Sequence, residues 1–258
     1  MTRTVIVTGS TSGIGLGIAQ AFARDGANIV MNGLGDPGEI ENIRLMMEAE
    51  NGVHVIHHAA NMTKPEEIAD MVAQAEQKFG RIDVLVNNAG VQHVAPVDEF
   101  PPEKWDQIIA INLTSSFHTM HRTIPVMKKA GKGRIINISS AHGLVASPYK
   151  SAYVAAKHGI MGLTKSAALE LAETGITVNA ICPGYVLTPL VEQQIPDMAK
   201  TSGISEEAVK NEVLLRLQAT KEFVSIEDIA ATAIFLASDA ASQITGTHIS
   251  VDGGWTAQ

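Results

Sequence analysis

Seven short runs of β-branched and aliphatic residues recur along the chain: TVIVTG (4–9), ANIVMNG (27–33), VHVIHHA (53–59), IDVLVNNAG (82–90), GRIINISS (133–140), ITVNAIC (176–182) and HISVDGG (248–254). Each run is continuously apolar rather than alternating, the pattern of strands buried on both faces in a parallel sheet. Between them lie amphipathic stretches such as PEEIADMVAQAEQKFG (65–80), opened by Pro65 and closed by Gly80 as helix ends are. The alternation predicts right-handed βαβ units wound into an α/β doubly wound parallel sheet of about seven strands. No linker, low-complexity tract or internal period divides the 258 residues, so one domain is expected over 1–258. The rhythm breaks once, between Val186 and Ser225, where the pattern is helical without a strand. The interval follows a strand end, where open α/β sheets bind ligands, so 186–225 is expected to be a lid over a site.

Composition removes several classes. With 27 acidic and 19 basic side chains the net charge is −8, which supplies no attraction for nucleic acid or an anionic membrane. An anionic substrate would then need a local cation inside its site. Cys182 is the only cysteine, so no internal disulfide or cysteine-type zinc site is available, and no His/Asp/Glu spacing suggests a metal-ligand set. No apolar run reaches the roughly 20 residues that span a bilayer, and the amino terminus lacks signal-peptide anatomy, so a soluble cytoplasmic protein is expected.

The first strand runs into Thr8-Gly9-x-x-x-Gly13-Ile14-Gly15, which opens a helix. Glycines there permit positive φ and close backbone approach to a pyrophosphate, and the helix terminus offers free N–H groups to the anion. At the second strand's tip, where an acidic residue often holds the adenosine ribose, stand Gly33 and Leu34, with Asp36 slightly later. Neither the glycine turn nor residues 33–36 carry an Arg or Lys for a 2′-phosphate, which favours NAD over NADP.

Tyr153 and Lys157 stand four apart in a helical pattern and share a face; Ser140 ends the preceding strand. A tyrosine hydroxyl, with its ordinary pKa near 10, is too weak a base at neutral pH. An ammonium at ~4 Å with an effective dielectric of ~20 favours the phenolate by roughly 4 kcal/mol, so Lys157 is expected to bring Tyr153 down toward neutrality. Ser140 would hold the substrate oxygen.

Thr8–Gly15, NNAG at Asn87–Gly90, Asn112, Ser140, YxxxK at Tyr153–Lys157, and Pro183-Gly184 with the downstream Thr188 resemble, over essentially the whole chain, the short-chain dehydrogenase/reductase family and its Rossmann-type fold. The resemblance implies a tetrad of Asn112, Ser140, Tyr153 and Lys157, with Asn112 anchoring a proton relay through Lys157. It implies that Asn88 and Gly90 border the cofactor and that Thr188 meets the nicotinamide amide. It further places Gly9, Thr11, Gly13, Ile14, Gly15, Leu34, Asn61, Met62, Pro183, Gly184 and Val186 along the dinucleotide, with Tyr153 and Lys157 also touching it.

Since Lys157 already serves the tyrosine, the loop residue Lys150 is free for another task. With His142, Gln92 and, in the expected lid, Gln194, it makes a set suited to a small carboxylate, which takes several charge-assisted hydrogen bonds. The stretches NAGVQHVAPVDEFP, SSAHGLVASPYKSAYVAAKHG and PGYVLTPLVEQQI resemble the branch of the family that oxidises (R)-3-hydroxybutyrate to acetoacetate. That resemblance implies that Gln92, His142, Lys150 and Gln194 hold the substrate carboxylate, with Trp255 at the pocket wall, and it implies NAD and a homotetramer. A reductase of 3-oxoacyl carriers, a polyol dehydrogenase and a non-catalytic dinucleotide sensor remain alternatives.

Overall fold

The computed structural model describes residues 2–192 and 195–257. All seven runs form strands: β1 (Thr4–Val7), β2 (Asn28–Asn32), β3 (Val55–His58), β4 (Val84–Asn87), β5 (Gly133–Ile138), β6 (Ile176–Pro183) and β7 (His248–Val251). They pair in parallel in the order β3-β2-β1-β4-β5-β6-β7, confirming the Rossmann-type single domain. The observed strands are shorter than most of the apolar runs. Residues 252–254, for example, leave the sheet because Gly253 and Gly254 take φ of +58° and +79°.

The continuous burial has its cause in two layers of helices. In β1, Val5 and Val7 join one core with Ile18, Phe22 and Ile229, while Ile6 between them faces a second core with Ile68, Met71 and Met127. The first core belongs to α1 (Gly13–Arg24) and the carboxyl-terminal helix α10 (Ile226–Ala237), with α2 (Pro37–Asn51) contributing Met47 at its edge. The second belongs to α3 (Pro65–Phe79) and α5 (Ser115–Ala130), the latter reached from α4 (Pro102–Ile109) through a π-helical turn at Ala110–Thr114. Helix α6 (Ser151–Leu171) adds Ala167, Ala168 and Leu171 to it.

The interval after β6 is helical, as its pattern indicates: α7 (Pro189–Glu192), α8 (Ile195–Ser202) and α9 (Glu206–Ala208), the last running into a π turn at Val209–Leu214. It has a small core of its own, where Ile195, Ala199, Val209 and Leu214 pack with Tyr185, Val191 and Phe223. One isolated parallel bridge, Val186 to Val224, pins its two ends together. No helix among the described residues is long and apolar enough to cross a membrane.

Candidate active site

The strand order reverses between β1 and β4, and the crevice above their carboxyl ends opens into a cavity of about 870 Å³. Every site residue expected from the sequence and described in the structure lines this cavity, with the single exception of Asn112. Gln194 lies outside the described residues.

The cofactor end is built on backbone. Gly9 has φ +62°, and a Cβ on Gly15 would stand 2.2 Å from the Gly9 carbonyl, so neither position admits another side chain without shifting the turn. Buried hydrogen bonds hold this geometry from neighbouring strands. Thr8 Oγ1 accepts the N–H groups of Asn88 and Ala89 at 3.0 Å, and Asn88 Nδ2 donates to the carbonyls of Thr8 and Gly9 at 2.9 Å. Asn32 adds a brace that sequence reasoning missed, because it reads as an ordinary strand residue. Its Oδ1 accepts the Gly9 N–H at 3.2 Å, and its Nδ2 donates to His58 and Ala60 carbonyls at 3.0 Å. Ser12, at the N-cap of α1, makes no side-chain cap, which leaves the helix terminus facing the cavity without an internal acceptor.

Further along the wall come Leu34, Ala60, Asn61 and Met62; Asn61 Oδ1 is engaged by Thr63. Thr188 approaches the glycine turn from the opposite side, with its methyl group 3.6 Å from where a Cβ on Gly13 would lie. Pro183, Gly184 and Val186 line the same flank.

The chemical end is built on side chains. Ser140 caps a 3-10 turn (Ala141–Gly143) by accepting the His142 N–H at 3.1 Å, so the hydroxyl is fixed just past β5. Tyr153 and Lys157 do share a face of α6, the lysine Nζ standing 5.5 Å from the tyrosine ring centre. Lys157 is buried and donates to the Ile138 carbonyl at 2.8 Å. Burial pulls its pKa down to about 8.

That environment corrects one expectation. In the protein alone the Tyr153 hydroxyl lies above its ordinary pKa, not below it. Burial is the largest influence and outweighs the hydrogen bond from Ser140, which acts in the lowering direction. The attraction between the two groups is opposed by the desolvation of both. A buried ammonium aimed at a carbonyl is itself less readily charged, and a buried phenolate loses its hydration. The Asn112 side chain is likewise committed elsewhere. In the π turn, its Oδ1 accepts the Val91 N–H and its Nδ2 donates to the Val91 carbonyl, both at 2.9 Å, so its direct effect is to fix the loop after Asn88–Gly90.

Around the expected substrate residues the structure assembles an aromatic wall. His142 meets Trp255 edge-on with ring centres 4.9 Å apart, and Tyr153 at 6.0 Å. Trp255 stacks on Tyr185 at 5.2 Å and 12°. Lys150, the residue just before α6, donates to the Tyr185 hydroxyl at 3.3 Å. Tyr185 is the second residue sequence reasoning left without a role, because its partners come from distant segments. Burial, and then the charge of Lys150, push His142 down to about 4, so the ring is neutral at physiological pH. Among the described residues its buried Nε2 has no partner. Gln92 lines the wall nearby. No carboxylate lines the cavity among the described residues, and Lys150 and Lys157 are the only lysines or arginines that do.

A family model described as enoyl-(acyl carrier protein) reductase matches residues 9–256. A D-beta-hydroxybutyrate dehydrogenase of Rhizobium meliloti (strain 1021) is 64% identical over 258 residues, covering 100% of both chains. The chain belongs to the short-chain dehydrogenase/reductase family. A second relative in that family, a D-beta-hydroxybutyrate dehydrogenase of Cupriavidus necator, is 55% identical, over 99% of this chain and 98% of its own. Among solved structures, a single-residue variant of actinorhodin polyketide ketoreductase with NADPH superposes with a TM-score of 0.93 at 31% identity, covering 100% of this chain and 98% of its own.

The residues present fit a nicotinamide dinucleotide, the cofactor class of this family. The glycine turn leaves no room for side chains, the uncapped helix terminus suits a pyrophosphate, and the cavity runs without a carboxylate from Leu34 to Tyr153. Among the described residues no three His, Cys, Asp or Glu side chains are grouped as a metal site requires.

Proposed function

We propose that the protein interconverts (R)-3-hydroxybutyrate and acetoacetate with NAD as the redox partner. The observation that carries this reading is Lys150. With Lys157 taken up by the Ile138 carbonyl, Lys150 is, among the described residues, the cation left over on the cavity wall, beside a neutral His142 whose Nε2 lacks a partner among them. A short carboxylate answers both needs: it pairs with the ammonium and accepts a hydrogen bond from the imidazole N–H. The stacked Tyr185 and Trp255 leave an apolar surface for a short aliphatic chain. The two D-beta-hydroxybutyrate dehydrogenase relatives support the same substrate.

In this reading, the bound nicotinamide supplies the hydride acceptor for oxidation. Ser140 holds the substrate hydroxyl, and Tyr153 takes its proton at Oη as the C3 hydride departs. The protonated tyrosine favoured by burial is the form that donates a proton in the reverse reaction. In oxidation, the ammonium groups and the absence of a carboxylate on the wall favour its anion. The insertion at 186–225 serves as a lid that excludes water, contributing Val186, Thr188, Val191, Val213 and Leu214 to the wall. NAD is favoured over NADP because the β2 tip, Gly33-Leu34, offers no cation to a 2′-phosphate. A homotetramer, as the family resemblance implies, is the assembly proposed.

Initial rates with both enantiomers of 3-hydroxybutyrate, each paired with NAD and NADP, test the reading. Turnover of the (R) acid with NAD is expected. A strict requirement for NADP, or equal turnover of uncharged secondary alcohols, would contradict it.

A further inference from the structure

A second cavity, of about 450 Å³, lies at the opposite end of the sheet, where β1, β4 and β5 begin. Arg3, Arg81, Lys132 and Arg134 face Asp25, Asp83 and Asp239 there, and Val84, Ile234 and Ala237 form an apolar side. Three of the cations have a close carboxylate: Arg3 pairs with Asp25, Arg81 with Asp83, and Lys132 with Asp239. Asp83 is further engaged by the Thr4 N–H at 2.8 Å.

Arg134 is the one left over. It is only 4% exposed, yet its nearest carboxylate oxygen, on Asp239, is 3.7 Å away and already paired with Lys132. Its Nη1 donates to the carbonyls of Gly133 and Gly175 at 2.9 and 3.2 Å, whereas its buried Nε has no partner among the described residues. The edge formed by Nε and Nη2 is the one that binds a carboxylate or phosphate side-on through two parallel hydrogen bonds, and here, among the described residues, Nε is without a partner and Nη2 has only the Asp239 oxygen at 3.7 Å. A buried guanidinium without a close counter-ion is costly, and burial duly lowers its affinity for the proton.

We propose that this cavity binds a small oxyanion, a carboxylate or phosphate, held side-on by Nε and Nη2 of Arg134. The ligand displaces Asp239, whose side chain is 80% exposed and free to swing outward. Because the site lies about one strand length, roughly 20 Å, from the catalytic end, its occupant does not compete with substrate.

Thermal unfolding of the full chain, saturated with its dinucleotide, tests this in sodium phosphate and in sodium acetate, each against sodium chloride at matched ionic strength. A saturable rise of a few degrees in one of the two oxyanions is expected, and which one saturates at lower concentration identifies the class. Arg134→Lys, which keeps the charge but loses the fork, should abolish the rise. Asp239→Asn, which removes the competing carboxylate, should lower the half-saturating concentration at least threefold. Equal midpoints in oxyanion and chloride, or an unchanged rise in Arg134→Lys, would overturn the proposal. If Arg134→Lys does not fold, an unchanged half-saturating concentration in Asp239→Asn overturns it alone.

Discussion

The two ends of the long cavity are made of different material. At the glycine turn, backbone meets backbone, and the short side chains of Thr8, Asn32 and Asn88 lock three strands together through buried hydrogen bonds. At the chemical end, side chains from the turn after β5, from α6 and the residue before it, from the β6 exit and from the last turn at Trp255 meet through the Ser140–Tyr153 and Lys150–Tyr185 hydrogen bonds and a set of ring contacts. A cofactor shared across a family can be held by rigid backbone. A substrate particular to one member is selected by the side chains that converge opposite the reacting group.

If this division is right, changes at the chemical end should alter turnover and leave dinucleotide binding intact. The largest effect belongs to Tyr153→Phe, which removes the proton carrier and should lower kcat about 10²–10⁴-fold while cofactor affinity, measured by fluorescence titration, stays within twofold. A comparable loss of cofactor affinity would show that the two ends are not separable.

Next in size is the pH response of His142. Its folded pKa of about 4 lies below the ordinary value of 6.5, so the unfolded chain binds its proton more readily than the folded one. Stability is therefore full above pH 6.5 and falls as the pH drops from 6.5 toward 4, by about 3 kcal/mol at most. Denaturant titrations across that interval, repeated on His142→Gln, check this, because the variant should lose that part of the slope. The smallest effect is that of Tyr185→Phe, which keeps the stack on Trp255 and removes the hydroxyl that Lys150 touches. It should raise KM for the hydroxy acid several-fold with kcat unchanged. A fall in kcat instead would place Tyr185 in the chemistry.

The same contrast explains what could be read from the sequence. The seven strands, the glycine turn and the Tyr153–Lys157 pair follow from local pattern, since each depends on residues close in sequence, and the apolar runs are continuous because both faces of the sheet are covered. Asn32 and Tyr185 were not legible. Asn32 gains its role from loops after β1 and β3, and Tyr185 gains its own from Lys150, 35 residues earlier, and from Trp255 at the far end of the chain. The direction of the Tyr153 shift was misread for a related reason. Spacing along a helix reveals a neighbouring charge, whereas desolvation depends on everything packed around it. Asn112 was found, but the use of its amide on Val91 required the fold.

The central claim is that the two lysines divide the work, Lys157 serving the tyrosine and Lys150 the substrate anion. Steady-state kinetics of Lys150→Ala on (R)-3-hydroxybutyrate and on an uncharged secondary alcohol test it most directly. A charge-assisted hydrogen bond lost from the site predicts about a 10–100-fold fall in kcat/KM for the acid, carried by KM, with the alcohol unaffected. Acid turnover close to that of the unaltered protein, or an equal loss on both substrates, would contradict the account.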